Sequence, residues 1–258
     1  MKSPLWKPSN ESISKSQMMD FIYFINKKFS FSFSNYEDIY NWSINKSEDF
    51  WLSFWNYSKA IEHKPCTRVV DNINKMPGAK WFDGCTLNFA ENLLRFRNNS
   101  NAIQFYREDG AKYTITYNQL YLKVSHLASS MRKIGIKRGD RIAGFLPNIP
   151  ESVIAMLATS SIGAIWSSCS PDFGVNGVVE RFMQIKPKVL IICDRYYYNG
   201  KEINVLDRLP KILKKIPSIK KIIITNYPGK KYLNLKYLNS KNFFYWKNIP
   251  NSKTKKIS

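Results

Sequence analysis

Apolar side chains in the first sixty residues recur at the three- and four-residue spacing of a helix. A first set lies between residues 16 and 29: Met18, Phe21, Ile22, Ile25 and Phe29. A second helix, which we expect Ser47 to cap, carries four aromatic rings on one side: Phe50, Trp51, Phe54 and Trp55. Because an aromatic stripe at helical spacing is more often core than a ligand site, we expect both helices to pack on a larger domain.

The helical pattern stops between Lys64 and Gly84. Pro65, Pro77 and Gly78 interrupt this segment and predict an irregular connection over the domain surface. The polar run RFRNNSN at residues 95–101 interrupts the apolar pattern again. We therefore predict one region at residues 1–97 and a second at residues 98–258.

Alternating apolar and polar positions open the second region. Residues 102–106 and 113–117 alternate on either side of an Asp-Gly turn, which predicts a β hairpin. Thr116 and Gln119 have the spacing of a capping box for a following helix, and Gly135 is suited to end that helix. The helix has a long apolar stripe: Leu120, Val124, Leu127, Ala128, Met131 and Ile134.

Strand and helix patterns then alternate, and this alternation predicts the fold class. Strands are predicted at residues 141–146, 164–168, 189–192 and 221–225, and helices at 150–162, 176–185 and 205–216. Pro150 suits the first turn of its helix, and Pro187 stops the next one. Strands and helices in turn predict an α/β fold with a doubly wound, mostly parallel sheet covered on both faces.

The stretch CSPDFGVNGVVERF, residues 169–182, follows one of these strands and admits two interpretations. In the first it is only a connection between two elements: Pro171 and Gly174 stop the strand, and Asp172 or Asn176 caps the next helix. In the second it is a ligand loop, because such sheets bind ligands beyond the carboxyl ends of their strands. Spacing alone leaves both open.

Charge raises a different class of partner. The chain has 40 basic and 19 acidic residues, a net charge of +21, which favours nucleic acid as a ligand. However, 13 lysines and no acid follow Leu209, and Lys, Asn, Ile, Phe and Tyr are all abundant. Since these residues have A/T-rich codons, genome composition competes as the cause, and we expect no nucleic-acid partner.

Cysteine and histidine usage favours reduced thiols and no metal. Cys66, Cys85, Cys169 and Cys193 form no C-x-x-C pair, and His63 with Cys66 and Cys85 gives no recognised ligand spacing. The opening residues lack the apolar core of a signal peptide, and residues 153–166 are too short and too polar to span a bilayer. We predict a cytoplasmic protein without membrane contact.

Common catalytic signatures are absent from the sequence. It contains no G-x-G-x-x-G, G-x-x-x-x-G-K-[ST], G-x-S-x-G or H-E-x-x-H segment. Neither His63 nor His126 has a nucleophile and an acid at a recognisable spacing, and we expect His126 to be partly packed beside its helix stripe. No catalytic residue is predicted.

Four segments resemble one enzyme family. These are PLWKPS (residues 4–9), TLNFAENLL (86–94), GDRIAGFLPNIPESVIAMLATSSIGAIWSSCSPDFG (139–174) and YNGK (198–201). They resemble the acetoacetyl-CoA synthetase branch of the adenylate-forming acyl-CoA synthetases, over nearly the whole chain to about Tyr232. The GDRIAGFLPNIPE segment is shared across the superfamily, whereas SPDFG and PLWKPS are typical of the acetoacetyl branch.

The resemblance implies a two-step ligation. A carboxylate attacks the α-phosphate of Mg-ATP to give an acyl-adenylate, and the CoA thiol then displaces AMP. It implies ATP, Mg and CoA as cofactors, acetoacetate or a similar short acid as substrate, and a wrapping role for the first helices. Glu91 and Asn92 are interpreted as structural, with Glu91 facing a cation.

The sequence also departs from the family. The Ser/Thr/Gly-rich phosphate loop, the adenine and ribose motifs and the small C-terminal domain with its catalytic lysine are not in this sequence. We therefore expect an N-terminal part of the enzyme that ends before the phosphate loop, is inactive alone and exposes a sheet edge. We expect activity only with a complementary C-terminal piece or in a full-length form. The ATP and Mg sites are expected mostly outside the chain. A stand-alone CoA or nucleotide-binding module and a basic nucleic-acid binder are the alternatives.

The resemblance carries over to a few positions on the CoA side. The loop containing Ser170, Phe173 and Gly174 matches a segment that lies along CoA, and Tyr198 and Lys201 match two basic positions that bind its phosphates. Lys201 keeps a cation and Tyr198 does not, so phosphate binding is expected to be weaker than at a paired site. The alternative for Lys201 is a solvated lysine after the Asn199-Gly200 turn.

Overall fold

The computed structural model describes residues 5–231 and 242–246. Internal contacts divide the chain into two compact units, Met1–Leu87 and Asn88–Ser258. This division comes earlier than the boundary that the sequence predicts at residue 97, and that boundary stays a prediction. Pro4 of the opening motif and the last residues, 247–258, lie outside the described residues, as do several of the C-terminal lysines.

Four helices and one pair of short strands make up the described part of the first unit. They are α1 (Asn10–Ser14), α2 (Gln17–Phe29), α3 (Tyr36–Asn45), α4 (Ser47–Ser58), β1 (Arg68–Val70) and β2 (Trp81–Asp83). Ser16 caps α2 by accepting the Met19 amide at 3.3 Å, and the predicted apolar stripe buries Phe21, Ile22 and Ile25. This stripe packs with α3 into a small core of its own.

The predicted cap of α4 is wrong. Ser47 is the first residue of the helix rather than its cap, and its hydroxyl donates to the Ser43 carbonyl at 2.7 Å. The side chain is therefore engaged with the preceding turn of α3. The cap position is taken by Lys46, which makes no side-chain cap bond.

The aromatic residues of α4 contact two different partners within the first unit. Phe50 and Phe54 lie edge-on to Phe21 of α2, with ring centroids 6.0 and 5.6 Å away. Trp51 contacts Trp81 at 6.0 Å, and Trp55 stacks on Phe82 at 4.5 Å. The stripe thus joins α2 on one side to the β1–β2 pair on the other.

The segment 64–84 is more ordered than its prolines suggest. β1 and β2 within it pair in antiparallel register, and Val69 and Val70 are buried. Asp71 accepts the amides of Asn72 and Lys80, both at 2.7 Å, which lowers the pKa of its carboxyl to about 2. The prediction of a wholly irregular connection is therefore wrong.

The second unit contains the α/β fold that the sequence predicts. Its helices are α5 (Phe89–Leu93), α6 (Tyr117–Lys133), α7 (Pro150–Ser161), α8 (Val175–Ile185) and α9 (Leu209–Lys215), with a 3₁₀ turn at Leu206–Arg208. Its strands are β3 (Asn101–Tyr106), β4 (Lys112–Thr116), β5 (Arg141–Phe145), β6 (Ile165–Cys169), β7 (Val189–Cys193), β8 (Arg195–Tyr198), β9 (Lys201–Asn204), β10 (Lys221–Thr225) and β11 (Phe243–Tyr245).

The hairpin and the helix after it form as predicted. β3 and β4 pair in antiparallel register, and both hydrogen bonds of the Thr116–Gln119 capping box are present. The apolar stripe of α6 is buried, and Gly135 with a φ of +83° ends the helix. His126 on this helix is exposed, so the prediction that it is partly packed is wrong.

The central sheet has five parallel strands in the order β11-β10-β7-β5-β6. The chain goes from β5 to β6 on one side and then crosses to β7 on the other side of β5. Because such crossovers are right-handed, α7 covers one face and α8 with α9 the opposite face. The strand order therefore reverses between β5 and β7, and ligands of such sheets bind near the carboxyl edge at this point.

Helices complete both faces of the sheet. α7 packs against α5 and α6, and α8 packs against α9. The core is formed by strands such as β7, every residue of which is buried. No helix within the described ranges is both long and apolar enough to cross a bilayer.

Candidate functional site

The loop after β6 is a closed turn at the carboxyl edge of the sheet. The Phe173 amide donates to the Ser170 carbonyl at 3.2 Å, and the Ser170 hydroxyl donates to the Asp172 carboxylate at 2.7 Å. The Asp172 amide in turn donates to the Ser170 hydroxyl at 3.3 Å. These local bonds define the shape of what we call the Ser170–Gly174 loop.

Neither predicted side chain caps the helix that follows this loop. Gly174 is the cap residue of α8, with φ −63° and ψ 169°, and it provides no side-chain bond. Asp172 is bonded to Ser170, and the Asn176 side chain accepts from Lys215 of α9 at 3.0 Å. The two capping predictions are therefore wrong. The interpretation that these side chains serve only to start the next helix is excluded.

Phe173 is held at the outer side of the loop. Its side chain is 38% exposed, and the Arg181 guanidinium lies 4.0 Å from the ring centroid. Arg181 also donates to the Gly177 carbonyl at 3.1 Å, and a Cβ at Gly177 would lie 3.3 Å from the Phe173 ring. The ring thus rests on the first turns of α8.

Arg208 and Tyr196 contact the loop from the other side. The Arg208 guanidinium donates to the carbonyls of Pro171 and Phe173, the latter at 3.3 Å. Tyr196 lies close to Asp172 and Arg208: burial, with a smaller contribution from the Asp172 carboxylate, raises the pKa of its hydroxyl, and Arg208 opposes that rise. Both side chains belong to the segment that follows β7, so this segment and the loop are in direct contact.

The same segment forms a hairpin that spacing did not predict. β8 and β9 pair in antiparallel register, with Tyr198 opposite Lys201 and an Asn199-Gly200 turn between them. Tyr198 is 66% exposed and Lys201 is also exposed. Tyr196 and Tyr198 are two residues apart and so lie on the same face of the strand.

A partly buried ion-pair network holds the base of the hairpin; Asp194 and Arg195 are buried, and Glu202 is exposed. The Arg195 guanidinium contacts Asp194 at 3.1 Å and Glu202 at 3.1 Å, and it donates to the Lys231 carbonyl at 2.8 Å. Glu202 also accepts from the Tyr197 hydroxyl, and this bond, with a smaller contribution from Arg195, lowers the pKa of the Glu202 carboxyl against the effect of burial. The network fixes both strands of the hairpin to the end of β7.

Glu108 holds the tip of the hairpin. Its carboxylate accepts the Asn199 amide at 3.2 Å and the Gly200 amide at 2.9 Å. Asn199 and Gly200 have φ values of +50° and +71°, a backbone form whose successive amides make an anion-binding concavity. The β3–β4 turn, which carries Glu108, therefore occupies this concavity with one of the chain's own anions.

Two open clefts lie beside these elements. One of about 560 Å³ is lined by Arg107, Tyr197, Tyr227 and Lys230 near the hairpin tip. The second, of about 670 Å³, includes His126 and Glu151, and burial raises the pKa of the Glu151 carboxyl. Glu151 Oε2 is buried without a hydrogen-bond partner among the described residues.

No metal centre is found among residues 5–231 and 242–246, where no group of three or more His, Cys, Asp or Glu side chains could hold an ion. Cys85, one of the residues weighed for such a site, lies 3.6 Å from Glu62. Burial, with a smaller contribution from this carboxylate, raises the pKa of the Cys85 thiol. All four cysteines are free thiols.

The structure brings part of the predicted site together. The Ser170–Gly174 loop is bonded to Arg208, which follows the β8–β9 hairpin, and Tyr198 and Lys201 stand at the hairpin tip. Sequence reasoning missed Arg208, which holds the loop, and Glu108, which holds the hairpin tip. The paired tyrosines and the Asn-Gly turn at residues 196–200 were a signal for the hairpin, but nothing local links Glu108 to it.

Two family profiles match the chain. The AMP-binding enzyme profile matches residues 89–250, and the profile of the acetyl-coenzyme A synthetase N-terminus matches residues 36–93. The first match spans most of the α/β unit described above. The second spans α3 to α5 and the β1–β2 pair.

Curated relatives and a solved structure agree with these profiles. The chain is 41% identical over 88% of its length to an acetoacetyl-coenzyme A synthetase of Rhizobium meliloti, and 39% identical over 86% to one of Macaca fascicularis. It covers 34% and 33% of those proteins, about a third of their length. A solved acetoacetyl-CoA synthetase from Streptomyces lividans superposes with a TM-score of 0.87 at 30% identity, covering 98% of this chain and 39% of that one. The chain belongs to the family of AMP-binding enzymes.

Proposed function

We propose that the chain provides the N-terminal part of an acid–CoA ligase that activates acetoacetate with ATP and transfers the acyl group to CoA. The names of the relatives, acetoacetyl-CoA synthetases at about 40% identity, support the reaction class. One more distant relative, 36% identical, is a malonamoyl-CoA synthetase of Penicillium aethiopicum, so a short acid with a second carbonyl group is the substrate class proposed. A cytoplasmic location and a complementary C-terminal piece belong to the same proposal.

The observation that carries the proposal is the contact between the two segments assigned to CoA by resemblance. They are separate in the sequence, yet Arg208, which follows strand β9 of the hairpin, donates to the Pro171 and Phe173 carbonyls of the Ser170–Gly174 loop. The loop follows the carboxyl end of β6, the edge at which open α/β sheets bind ligands. The two segments can therefore contribute to one binding surface.

The side chains on this surface suit a phosphate-bearing ligand only in part. Lys201 offers one exposed cation at the hairpin tip. Tyr198, 66% exposed, offers a hydroxyl in place of a second charge. One cation with a neutral donor binds a phosphate less tightly than a pair of cations. CoA affinity is therefore expected to be modest in this chain.

ATP and Mg have no counterpart site among these residues. The sequence contains no Ser/Thr/Gly-rich phosphate loop, and no metal-binding cluster occurs in the described residues. Such a loop and a bound Mg would neutralise the charge that develops during attack on the α-phosphate. The role proposed for this chain is accordingly to bind and orient CoA, and no adenylation step is assigned to its residues.

Calorimetric titration of the 258-residue chain with CoA tests the proposal, together with a CoA-ligation assay using acetoacetate and ATP. We expect CoA binding without turnover, and Lys201→Ala should weaken binding because it removes the cation. Lys137→Ala is the matched control, since this exposed lysine precedes β5 at the opposite edge of the sheet. Equal binding by wild type and Lys201→Ala, or an equal loss in the Lys137 variant, would contradict the assignment.

Salt dependence separates the proposal from the nucleic-acid alternative. A basic chain that binds nucleic acid through its lysines loses affinity steeply as salt rises. We expect CoA, and not an RNA or DNA oligonucleotide, to bind at moderate salt. Oligonucleotide binding that survives moderate salt, without CoA binding, would favour the alternative.

A further inference from the structure

The side chain of Arg208 donates its hydrogen bonds to the backbone of the Ser170–Gly174 loop. It lies in the 3₁₀ turn Leu206–Arg208, where the Asn204 side chain accepts the Leu206 amide at 2.9 Å. From there its guanidinium reaches back 35 residues or more to the carbonyls of Pro171 and Phe173. Because the guanidinium is planar and rigid, donating to two carbonyls of one turn fixes their relative positions.

Tyr196 of the hairpin lies beside the same loop. The ring is 8% exposed, and its hydroxyl lies near Asp172 and Arg208, whose charges act on its pKa in opposite directions. Asp172 lies between the two residues whose carbonyls accept from Arg208. The loop is thus flanked by Tyr196 of strand β8 and is bonded to Arg208, which follows strand β9.

The outer side of the loop is held as well, by a cation that is also engaged within the fold. Arg181 stacks on Phe173 at 4.0 Å and donates to the Gly177 carbonyl. Two arginines therefore flank the loop, and both direct their donors at the protein. This arrangement differs from that of Lys201, which is exposed at the hairpin tip.

We infer that Arg208 is a positioning residue that fixes the Ser170–Gly174 loop relative to the Lys201 hairpin and so organises the CoA surface. The inference rests on the proposed function for the identity of the ligand. The claim that Arg208 fixes the loop rests on its two hydrogen bonds alone. Without Arg208 the loop keeps its internal bonds and the Arg181–Phe173 contact but loses the bonds that anchor its backbone, and CoA must order it on binding.

Hydrogen exchange of the Asp172 and Phe173 amides measures directly how firmly the loop is fixed, because both amides donate to Ser170 within the loop. In Arg208→Met, which keeps the aliphatic stem but no donors, we expect exchange of both amides to accelerate by about tenfold. Arg208→Lys, which keeps a positive charge and N–H donors on one nitrogen but not the planar fork, should restore part of the protection. CoA affinity, measured by calorimetry on the same samples, should fall by about tenfold in Arg208→Met.

Two variants separate positioning from other effects. Arg141→Met is the matched control, because Arg141 also donates to two carbonyls, those of Ile185 and Lys186 at 2.5 and 3.3 Å, at the amino end of β5. It should leave loop exchange and CoA affinity unchanged. Lys201→Ala should weaken CoA binding while loop exchange stays at the wild-type rate.

The outcomes are distinct. Unchanged exchange in Arg208→Met overturns the inference whatever happens to CoA, and accelerated exchange with unchanged CoA affinity overturns the claim that the loop serves the ligand. If the wild-type chain binds no CoA, the proposed function fails, and the claim that the loop serves CoA fails with it. Hydrogen exchange still decides whether Arg208 fixes the loop. If Arg208→Met does not fold, Arg208→Lys gives the same two readouts with smaller expected changes, because it replaces the planar guanidinium by a single ammonium group.

Discussion

Removal of the Asp194 carboxylate is expected to destabilise the α/β unit strongly. Asp194 has no exposed surface, accepts the Tyr227 amide at 3.0 Å and contacts Arg195 at 3.1 Å. Together these bonds join the ends of β7 and β10 to the start of the β8–β9 hairpin. The surroundings are buried, so water cannot replace the lost acceptor.

The magnitude follows from the two contacts. A buried amide left without an acceptor costs about 1–3 kcal/mol, and loss of one partner of a buried ion pair costs about 3–5 kcal/mol. Arg195 keeps Glu202 and the Lys231 carbonyl, which reduces the second cost. We therefore expect Asp194→Ala to lower the free energy of unfolding by about 4 kcal/mol. Asp194→Asn should lower it by about 2 kcal/mol, because an amide oxygen still accepts from Tyr227.

Urea unfolding followed by far-ultraviolet circular dichroism measures both changes. Glu180→Ala is the control, since Glu180 is an exposed carboxylate on α8 and its loss should change stability by less than about 0.5 kcal/mol. A loss below about 1 kcal/mol in Asp194→Ala would refute the reasoning, because it would mean that neither contact stabilises the fold.

Three further predictions concern the same unit. Gly144→Ala places a Cβ 2.5 Å from the Trp166 ring and should cost about 1–3 kcal/mol in thermal melts; wild-type stability would contradict this packing. Burial raises the pKa of Glu151, so its native form holds a proton more tightly than the unfolded chain; the resulting stability is present at low pH and lost as pH rises through the raised pKa. Glu151→Gln should flatten that part of the pH–stability curve, and an unchanged curve would exclude a protonated Glu151. Burial raises the pKa of Cys169 to about 11 and that of Cys193 further, so iodoacetamide near neutral pH should label both only after unfolding, as mass spectrometry would show.

Elements with strong local signals could be predicted from the sequence. The β3–β4 hairpin, the Thr116 capping box and the alternation of strands and helices beyond residue 141 depend on neighbouring residues, and all are present in the structure. Elements of the first unit were missed, namely the short helix α1, the short β1–β2 pair and the ten-residue helix α3. Three-residue strands such as β1 and β2 have too few positions for a period to appear, and distant partners stabilise them.

The capping predictions failed for a related reason. Ser47, Asp172 and Asn176 are residue types that cap helices, but each has a competing partner nearby in space. Asp172 and Ser170 satisfy one another, and Asn176 accepts from a lysine of another helix. Residue type gives the capacity for a cap, whereas tertiary contacts decide whether that capacity is used.

The sequence predicted residues of the candidate site but not the residues that hold them in place. Loop position and family resemblance pointed to Ser170, Phe173, Gly174, Tyr198 and Lys201, and their roles toward CoA stay predictions. The residues that hold these positions are distant in sequence: Glu108 lies 91 residues from Asn199. No local period encodes such a bond, because it forms only after the β3–β4 turn and the hairpin have met.

The strand order has a consequence for synthesis of the chain on the ribosome. β5 first pairs with β6, which follows it closely, but its other neighbour β7 begins only at Val189, 44 residues after β5 ends at Phe145. At about 5–20 residues per second, the inner edge of β5 waits about 2–9 s for that partner. During this interval the apolar strand pair is a target for chaperones and for premature association. A translational pause after β7 is complete at Cys193 would give the new sheet time to form, whereas one before β7 would prolong the exposure.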